Sequence, residues 1–225
     1  MVDAGGQEAL NEVYARHGLR SIYCGALPSE GGGWFRSPVE KVDDLNGLAM
    51  RSFGYGARTL RKLGVTTFEL PASDIRPAFE NGVIDAAEFA MPSIDALLNF
   101  PDFAPYLYFA GWQQPSTSLE LLILERTWLA LSQSDRQVIM RGCEESLRWT
   151  LEVALPRQKT TFQEFRAQGV EILSWPDEVF DALRLSWEEV IAEEIAENPD
   201  VGIAWQSYLR FDRQADAAID SLEQN

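Results

Sequence analysis

Basic residues are scarce in this chain. Nineteen lysines and arginines stand against thirty-five aspartates and glutamates in 225 residues, a formal net charge of −16. Such a balance repels nucleic acid and anionic membrane surfaces, so neither is expected as a partner. No apolar run approaches the roughly 20 residues that a bilayer requires, so no membrane-spanning helix is expected. The opening Met-Val-Asp-Ala-Gly-Gly-Gln-Glu lacks the basic and apolar regions of a secretory signal. Two cysteines, Cys24 and Cys143, are too few for a disulfide framework. They read as small buried hydrophobes rather than as a redox or metal pair. The single histidine, His17 beside Gly18, reads as a helix-end charge or a packing residue. Nucleophile elbows, Walker loops, His-Glu-x-x-His and Cys-x-x-Cys are all missing. Gly54-Tyr55-Gly56 lacks the third glycine of a dinucleotide fingerprint. No nucleophile is supplied, so the chain is not expected to be an enzyme.

What is present is ordinary globular material. Hydrophobic residues make up 46% and charged residues 24%, and the length allows one large domain or two small lobes. The periodicity predicts a helix over 7–17, a strand over 19–24 and a glycine-rich connector over 25–33. A βαβ alternation follows: strands over 48–52 and 65–70, with a helix over 55–63 between them. Ser73 is expected to cap the next helix. The stretch Gly82–Pro92 then forms the centre of the protein, its β-branched Val83 and Ile84 opening a buried strand. Strands separated by single helices imply a small, mainly parallel sheet over about 34–90. Further strands are expected at 106–110, 119–124 and 170–175. Ser134 with Gln137 resembles a capping box opening a helix through Arg148, with Pro156 kinking or restarting it. Two helices, 177–197 and 199–222, close the chain.

Within this pattern Glu88 is out of place. A carboxylate near a packed strand end needs a cation, a donor or a metal. Arg51 ends another strand of the same small sheet, beside glycines that leave room for a ligand. Guanidinium groups hold carboxylates bidentately, and ligands of open α/β sheets collect beyond the carboxyl ends of strands. Two readings remain open for the pair: a ligand site, or an Arg51–Glu88 salt bridge with no ligand.

Four segments extend the argument: Gly33-Trp34-Phe35, Asp43–Arg51, Pro77–Glu88 and Gly111-Trp112-Gln113-Gln114-Pro115. In this order and spacing the chain resembles a solute-binding subunit (DctP type) of the tripartite ATP-independent periplasmic (TRAP) transporters. The closest branch in motif is the one that binds 2-oxo acids and other monocarboxylates. The resemblance implies a two-lobed α/β, periplasmic-binding-protein-like fold with long C-terminal helices. It implies a periplasmic location, capture of a small carboxylate, and delivery to TRAP membrane permease subunits; a homodimer is compatible. Arg51 would clamp the carboxylate, with Glu30, Glu88, Trp112 and Gln114 also binding the solute. Glu30, Glu88, Gln114 and Phe89, which replaces the family's tryptophan, would hold a cation such as calcium or sodium; no organic cofactor is implied. Family members have sheet and helix before the counterpart of residue 1, so the chain is expected to be an N-terminally truncated, C-terminal portion. In that division residues 30–90 form a nearly complete lobe. Residues 1–24 and 111–225 supply hinge strands, part of the other lobe and the C-terminal helices. The alternatives are a truncated module that binds no solute and, more remotely, an enzyme built on Glu30, Glu88 and Arg51.

Overall fold

A computed structural model describes residues 5–223. In chain order the elements are α1 (Gly6–Ala15), β1 (Leu19–Leu27), β2 (Gly33–Phe35), β3 (Ala49–Arg51), α2 (Gly54–Lys62), β4 (Thr66–Phe68), α3 (Ala72–Glu80), β5 (Ala86–Ala87) and α4 (Pro92–Asp95). There follow β6 (Tyr106–Tyr108), β7 (Thr117–Leu124), α5 (Glu125–Ala130), α6 (Gln133–Trp149), α7 (Leu155–Ala167), β8 (Glu171–Leu173), α8 (Asp177–Glu197) and α9 (Pro199–Glu223). They divide into two compact units. The larger comprises Ala26–Thr117 and Thr150–Ala192; the smaller holds the segment ending at Gly25, Ser118–Trp149 and the residues from Glu193 onward.

The larger unit is built on a six-stranded sheet of order β4-β3-β5-β2-β6-β8. Side chains alternate across a strand, so Trp34 and Phe35 leave β2 on opposite faces. Trp34 joins Ile75, Phe79, Phe100, Leu107 and Phe165 in one core. Phe35 joins Leu45, Met50, Leu60, Tyr108, Val179 and Leu183 in the other. Helices α3 and α7 thus cover one face, and α2 and α8 the other. Burying each such side chain contributes roughly 1.5–3 kcal/mol.

The sheet is mixed, with three of its five strand pairings parallel. β3 runs parallel to β4 and β5, and β6 parallel to β8, but β2 is antiparallel to both β5 and β6. Only β3, β4 and β5 are joined through single helices, which is the linkage that forces parallel direction. The unit is also larger than the 30–90 stretch read from sequence, because β8 completes the sheet and α7 and α8 supply core residues. The strand expected from Val83 is only Ala86–Ala87. Val83 and Ile84 spend their amides on the Ala78 carbonyl at the end of α3, and Val83 is 46% exposed. Pro71, not Ser73, precedes α3; the Ser73 hydroxyl donates to Asp74 instead. Likewise the cap of α6 is Ser132, whose Oγ accepts from the Asp135 amide. Ahead of Pro156, residues Thr150–Ala154 form a π-helical turn. A proline without an amide hydrogen cannot continue the α-helical ladder, and a π turn relieves that locally.

In the smaller unit β1 and β7 form a two-stranded sheet. The cysteine reading needs correction here, for Cys24 and Cys143 are joined in a disulfide. They lie 119 residues apart, on β1 and α6, and meet in a small core with Ile22 and Trp128. A separation that long leaves no local signature. Arg20 donates to both carboxylate oxygens of Glu125, at 2.9 and 2.8 Å.

Candidate functional site

The parallel pairing of β3 and β5 places Arg51 beside Ala87, and the Glu88 amide donates to the Arg51 carbonyl at 3.0 Å. Two residues 37 positions apart thereby emerge together at the carboxyl ends of neighbouring strands. Arg51 is buried, with 7% of its surface exposed. Its Nε donates to the Leu70 carbonyl at 3.2 Å, and Nη1 donates to the Glu88 main-chain oxygen and, at 3.5 Å, to the Glu88 carboxylate. Phe53 and Phe89 lie on the guanidinium at 4.4 and 5.1 Å from their ring centroids. Stacked in this way a guanidinium can offer only its edge, which is the geometry of bidentate carboxylate binding.

Glu30 arrives from the connector after β1. Its amide donates to the Gln114 carbonyl at 3.2 Å and its carbonyl accepts from Gly111 at 2.8 Å; the neighbouring Gly31 amide donates to Ala90 at 3.1 Å. The close approach explains the glycine at 111, where a Cβ would stand 2.9 Å from the Glu30 oxygen. Gln114 Nε2 donates to the Glu30 carboxylate at 2.9 Å and to the Thr117 hydroxyl. Glu30, Arg51, Glu88, Phe89 and Gln114 thus line one pocket of about 560 Å³. Trp112 is not among its lining residues. It packs into the core on the α8 side, 6.4 Å from Trp187.

Electrostatically the site is short of positive charge. Burial, reinforced by Glu88, raises the Glu30 carboxyl from 4.5 to about 7, with Arg51 pulling the other way. Burial raises Glu88 as well, again opposed by Arg51. Behind them Asp95, only 1% exposed, accepts from Trp34 Nε1 at 2.8 Å and from the Ala90 amide at 3.0 Å. Burial pushes this carboxyl well upward too. Asp95 fixes the turn carrying Glu88, Phe89 and Ala90, and sequence reasoning missed it because nothing local distinguishes it from a surface acid. Phe53, Tyr55, Gln113 and Trp187 also line the pocket without having been singled out. Trp187 comes from α8, over 130 residues from Arg51 in sequence, roughly the reach no local pattern covers.

Among the described residues no three His, Cys, Asp or Glu side chains cluster as a metal-binding group. The donors available to a cation are two carboxylates, the Gln114 amide oxygen and the Phe89 carbonyl. All are oxygens, and the two acids are held above their usual range chiefly by burial, with Arg51 opposing the shift in both. That set fits a hard cation such as calcium or sodium and does not suit zinc or copper.

Residues 5–198 match the family DctP, bacterial extracellular solute-binding protein, family 7. The chain belongs to this family. DctP proteins are extracytoplasmic solute-binding proteins, not enzymes, and serve TRAP transporters. Among its relatives is the monocarboxylate 2-oxoacid-binding periplasmic protein of Nostoc sp., 25% identical over 214 residues, covering 95% of this chain and 59% of the relative. A solved TRAP solute-binding protein from Bordetella bronchiseptica, described with copurified calcium and picolinate, is 31% identical with a TM-score of 0.87. That match covers 98% of this chain and 66% of the other. Another from Colwellia psychrerythraea, with bound calcium and pyruvate, is 26% identical with a TM-score of 0.88, covering 98% and 68%. The chain therefore shares the α/β fold of these periplasmic proteins while spanning 59% of the Nostoc protein and 66% of the Bordetella one.

Proposed function

We propose that this DctP-family chain captures a small monocarboxylate in the periplasm for delivery to TRAP membrane permease subunits. The observation that carries the reading is Arg51: a buried guanidinium, stacked by two phenylalanines, at the floor of a pocket that also presents two acids. Its Nη2 makes no hydrogen bond among the described residues and is available to a ligand carboxylate. Glu30, Glu88, Gln114 and the Phe89 carbonyl would hold a cation, calcium or sodium, beside it. When bound, that ion supplies the positive charge the site lacks and a second contact for the ligand's oxygens. The protein's own groups do the rest. Arg51 orients the carboxylate, Gln114 fixes the Glu30 side chain, and Asp95 holds the Glu88–Ala90 turn. Self-association belongs to the same reading, the Bordetella relative being described as a dimer.

Calorimetric titration of pyruvate and other small carboxylates into the chain tests it. Arg51→Ala should lose roughly 2–5 kcal/mol of binding free energy, because it strips the partner from a desolvated anion. Arg51→Lys should recover only part, lacking the planar fork. Unchanged affinity in Arg51→Ala would refute the clamp.

A further inference from the structure

We propose that the ligand carboxylate is shared: Arg51 takes one of its oxygens, and the Ser52 hydroxyl with the N-terminus of α2 takes the other. The inference rests on the carboxylate reading above and goes further, to a side chain and a helix end that the Arg51 clamp does not use.

Ser52 is the observation that carries it. Only 2% of its surface is exposed, and it lines the pocket next to Arg51. Its amide donates to the Phe68 carbonyl at 3.2 Å, while its hydroxyl makes no hydrogen bond to any described residue. A hydroxyl taken out of water costs free energy unless something pairs with it. This one is directed at α2, for a Cβ built on Gly56 would stand 3.5 Å from Ser52 Oγ.

The same corner holds unsatisfied donors. Gly54, Tyr55 and Gly56 form the first turn of α2 and line the pocket with Ser52. The opening amides of a helix have no acceptor within it. The Ala57 amide reaches the Phe53 carbonyl at 3.1 Å, but those of Gly54 and Gly56 have no acceptor among the described residues. Phe53 precedes the helix without a capping side chain, and no acid stands in the first turn. The positive end of the helix is therefore left for an anion. The acids of the pocket are engaged elsewhere, Glu30 by Gln114 and Glu88 by Arg51. Packing does not demand glycine at 56, where a Cβ would make only ordinary contacts with Ser52 and Gln113. Its bareness leaves the amide and the hydroxyl open to a ligand.

Calorimetric titration of pyruvate into the chain and its variants, in calcium-containing buffer, tests the sharing. Ser52→Ala should weaken pyruvate about 10-fold, and Ser52→Thr, which keeps the hydroxyl, should lose far less. Gly56→Ala should weaken pyruvate severalfold by crowding the hydroxyl, while its melting temperature stays level or rises, since alanine favours a helix over glycine. A merely structural role would move affinity and melting together. Combining Ser52→Ala with Arg51→Lys should cost less than the product of the two single losses, because both groups hold one carboxylate. Pyruvate affinity in Ser52→Ala and Gly56→Ala equal to that of the unaltered chain would overturn the sharing and leave the Arg51 clamp standing. Losses that simply multiply would overturn it as well, by placing Ser52 on a different group of the ligand. No pyruvate binding by the unaltered chain would instead defeat the carboxylate reading, and this inference with it.

Discussion

Glu30 makes the candidate cation site depend on pH in a way that can be worked out beforehand. Its carboxyl lies at about 7 rather than 4.5, chiefly through burial and secondarily through Glu88. In the cation-free protein the group is therefore mostly protonated at pH 6 and mostly ionised at pH 8. A cation must displace that proton, so its apparent affinity falls as pH drops below 7. With Glu30 alone titrating, the ratio of affinities between pH 8 and pH 5 is about 90-fold, at 1.36 kcal/mol per unit. Glu88, also raised, can only steepen the lower part of the curve. Stability carries the complementary sign. Because the folded-state value is raised, the contribution of protonated Glu30 is fully present below 4.5 and is lost as pH rises through 7. The cation-free chain should thus lose about 3 kcal/mol from this group between those limits, and a bound cation should return it. Calcium titrations from pH 5 to pH 8, in two buffers of different ionisation enthalpy, measure both the affinity and the proton released. Glu30→Gln should flatten the profile. Pyruvate-free calcium affinity that is level from pH 5 to pH 8, with no proton release at pH 6, would refute the argument.

Other outcomes follow from single contacts. Gly111→Val should push its side chain into the Glu30 carbonyl, where even a Cβ stands at 2.9 Å. Calcium affinity should drop at least ~10-fold by displacement of Glu30, while a calcium curve matching the parent would show that the loop absorbs the change. Trp34→Phe removes the donor to the buried Asp95 carboxylate and should cost roughly 2–4 kcal/mol in urea denaturation. A loss below ~0.5 kcal/mol would show that the bond contributes little net stability. The Cys24–Cys143 disulfide joins two segments of the smaller unit that lie 119 residues apart in sequence. Reduction should destabilise that unit by about 2–4 kcal/mol, read as a lower melting temperature; free thiols titratable in the unreduced protein would count against the bond.

Much of the larger unit could be read from the chain because its signals are local. Arg51 and Glu88 sit at strand ends flanked by glycine and proline, and the βαβ spacing 48–52, 55–63 and 65–70 is explicit in the sequence. What could not be read depends on partners distant along the chain. The antiparallel direction of β2 shows only in its pairing with β5 and β6, which lie far along the chain. Val83 and Ile84 have strand propensity, but their amides are claimed by the end of α3, and tertiary context overrides the preference. Ser132 and Ser134 both resemble caps, and only the fold decides between them. Trp187 and Asp95 enter the site from elements whose sequences look like an ordinary helix and an ordinary turn. The disulfide was invisible for the same reason, since neither cysteine carries information about the other.

The distribution of charge in the site carries one more consequence. Three carboxylates, Glu30, Glu88 and Asp95, are buried or nearly so around one guanidinium, and each is pushed upward by burial. An anionic ligand entering that field meets net repulsion unless a cation or protons arrive with it. Cation and carboxylate should therefore bind cooperatively, and the coupling must be reciprocal: the factor by which calcium tightens pyruvate equals the factor by which pyruvate tightens calcium. Protons compete for the same role but serve it less well, because a protonated Glu30 offers no charge to the ligand's oxygens. Coupling measured at pH 8 should accordingly exceed coupling at pH 5, where protonation has already neutralised part of the field. Identical coupling at both pH values would mean that the ion acts through contact geometry alone and that the buried acids do not govern the exchange.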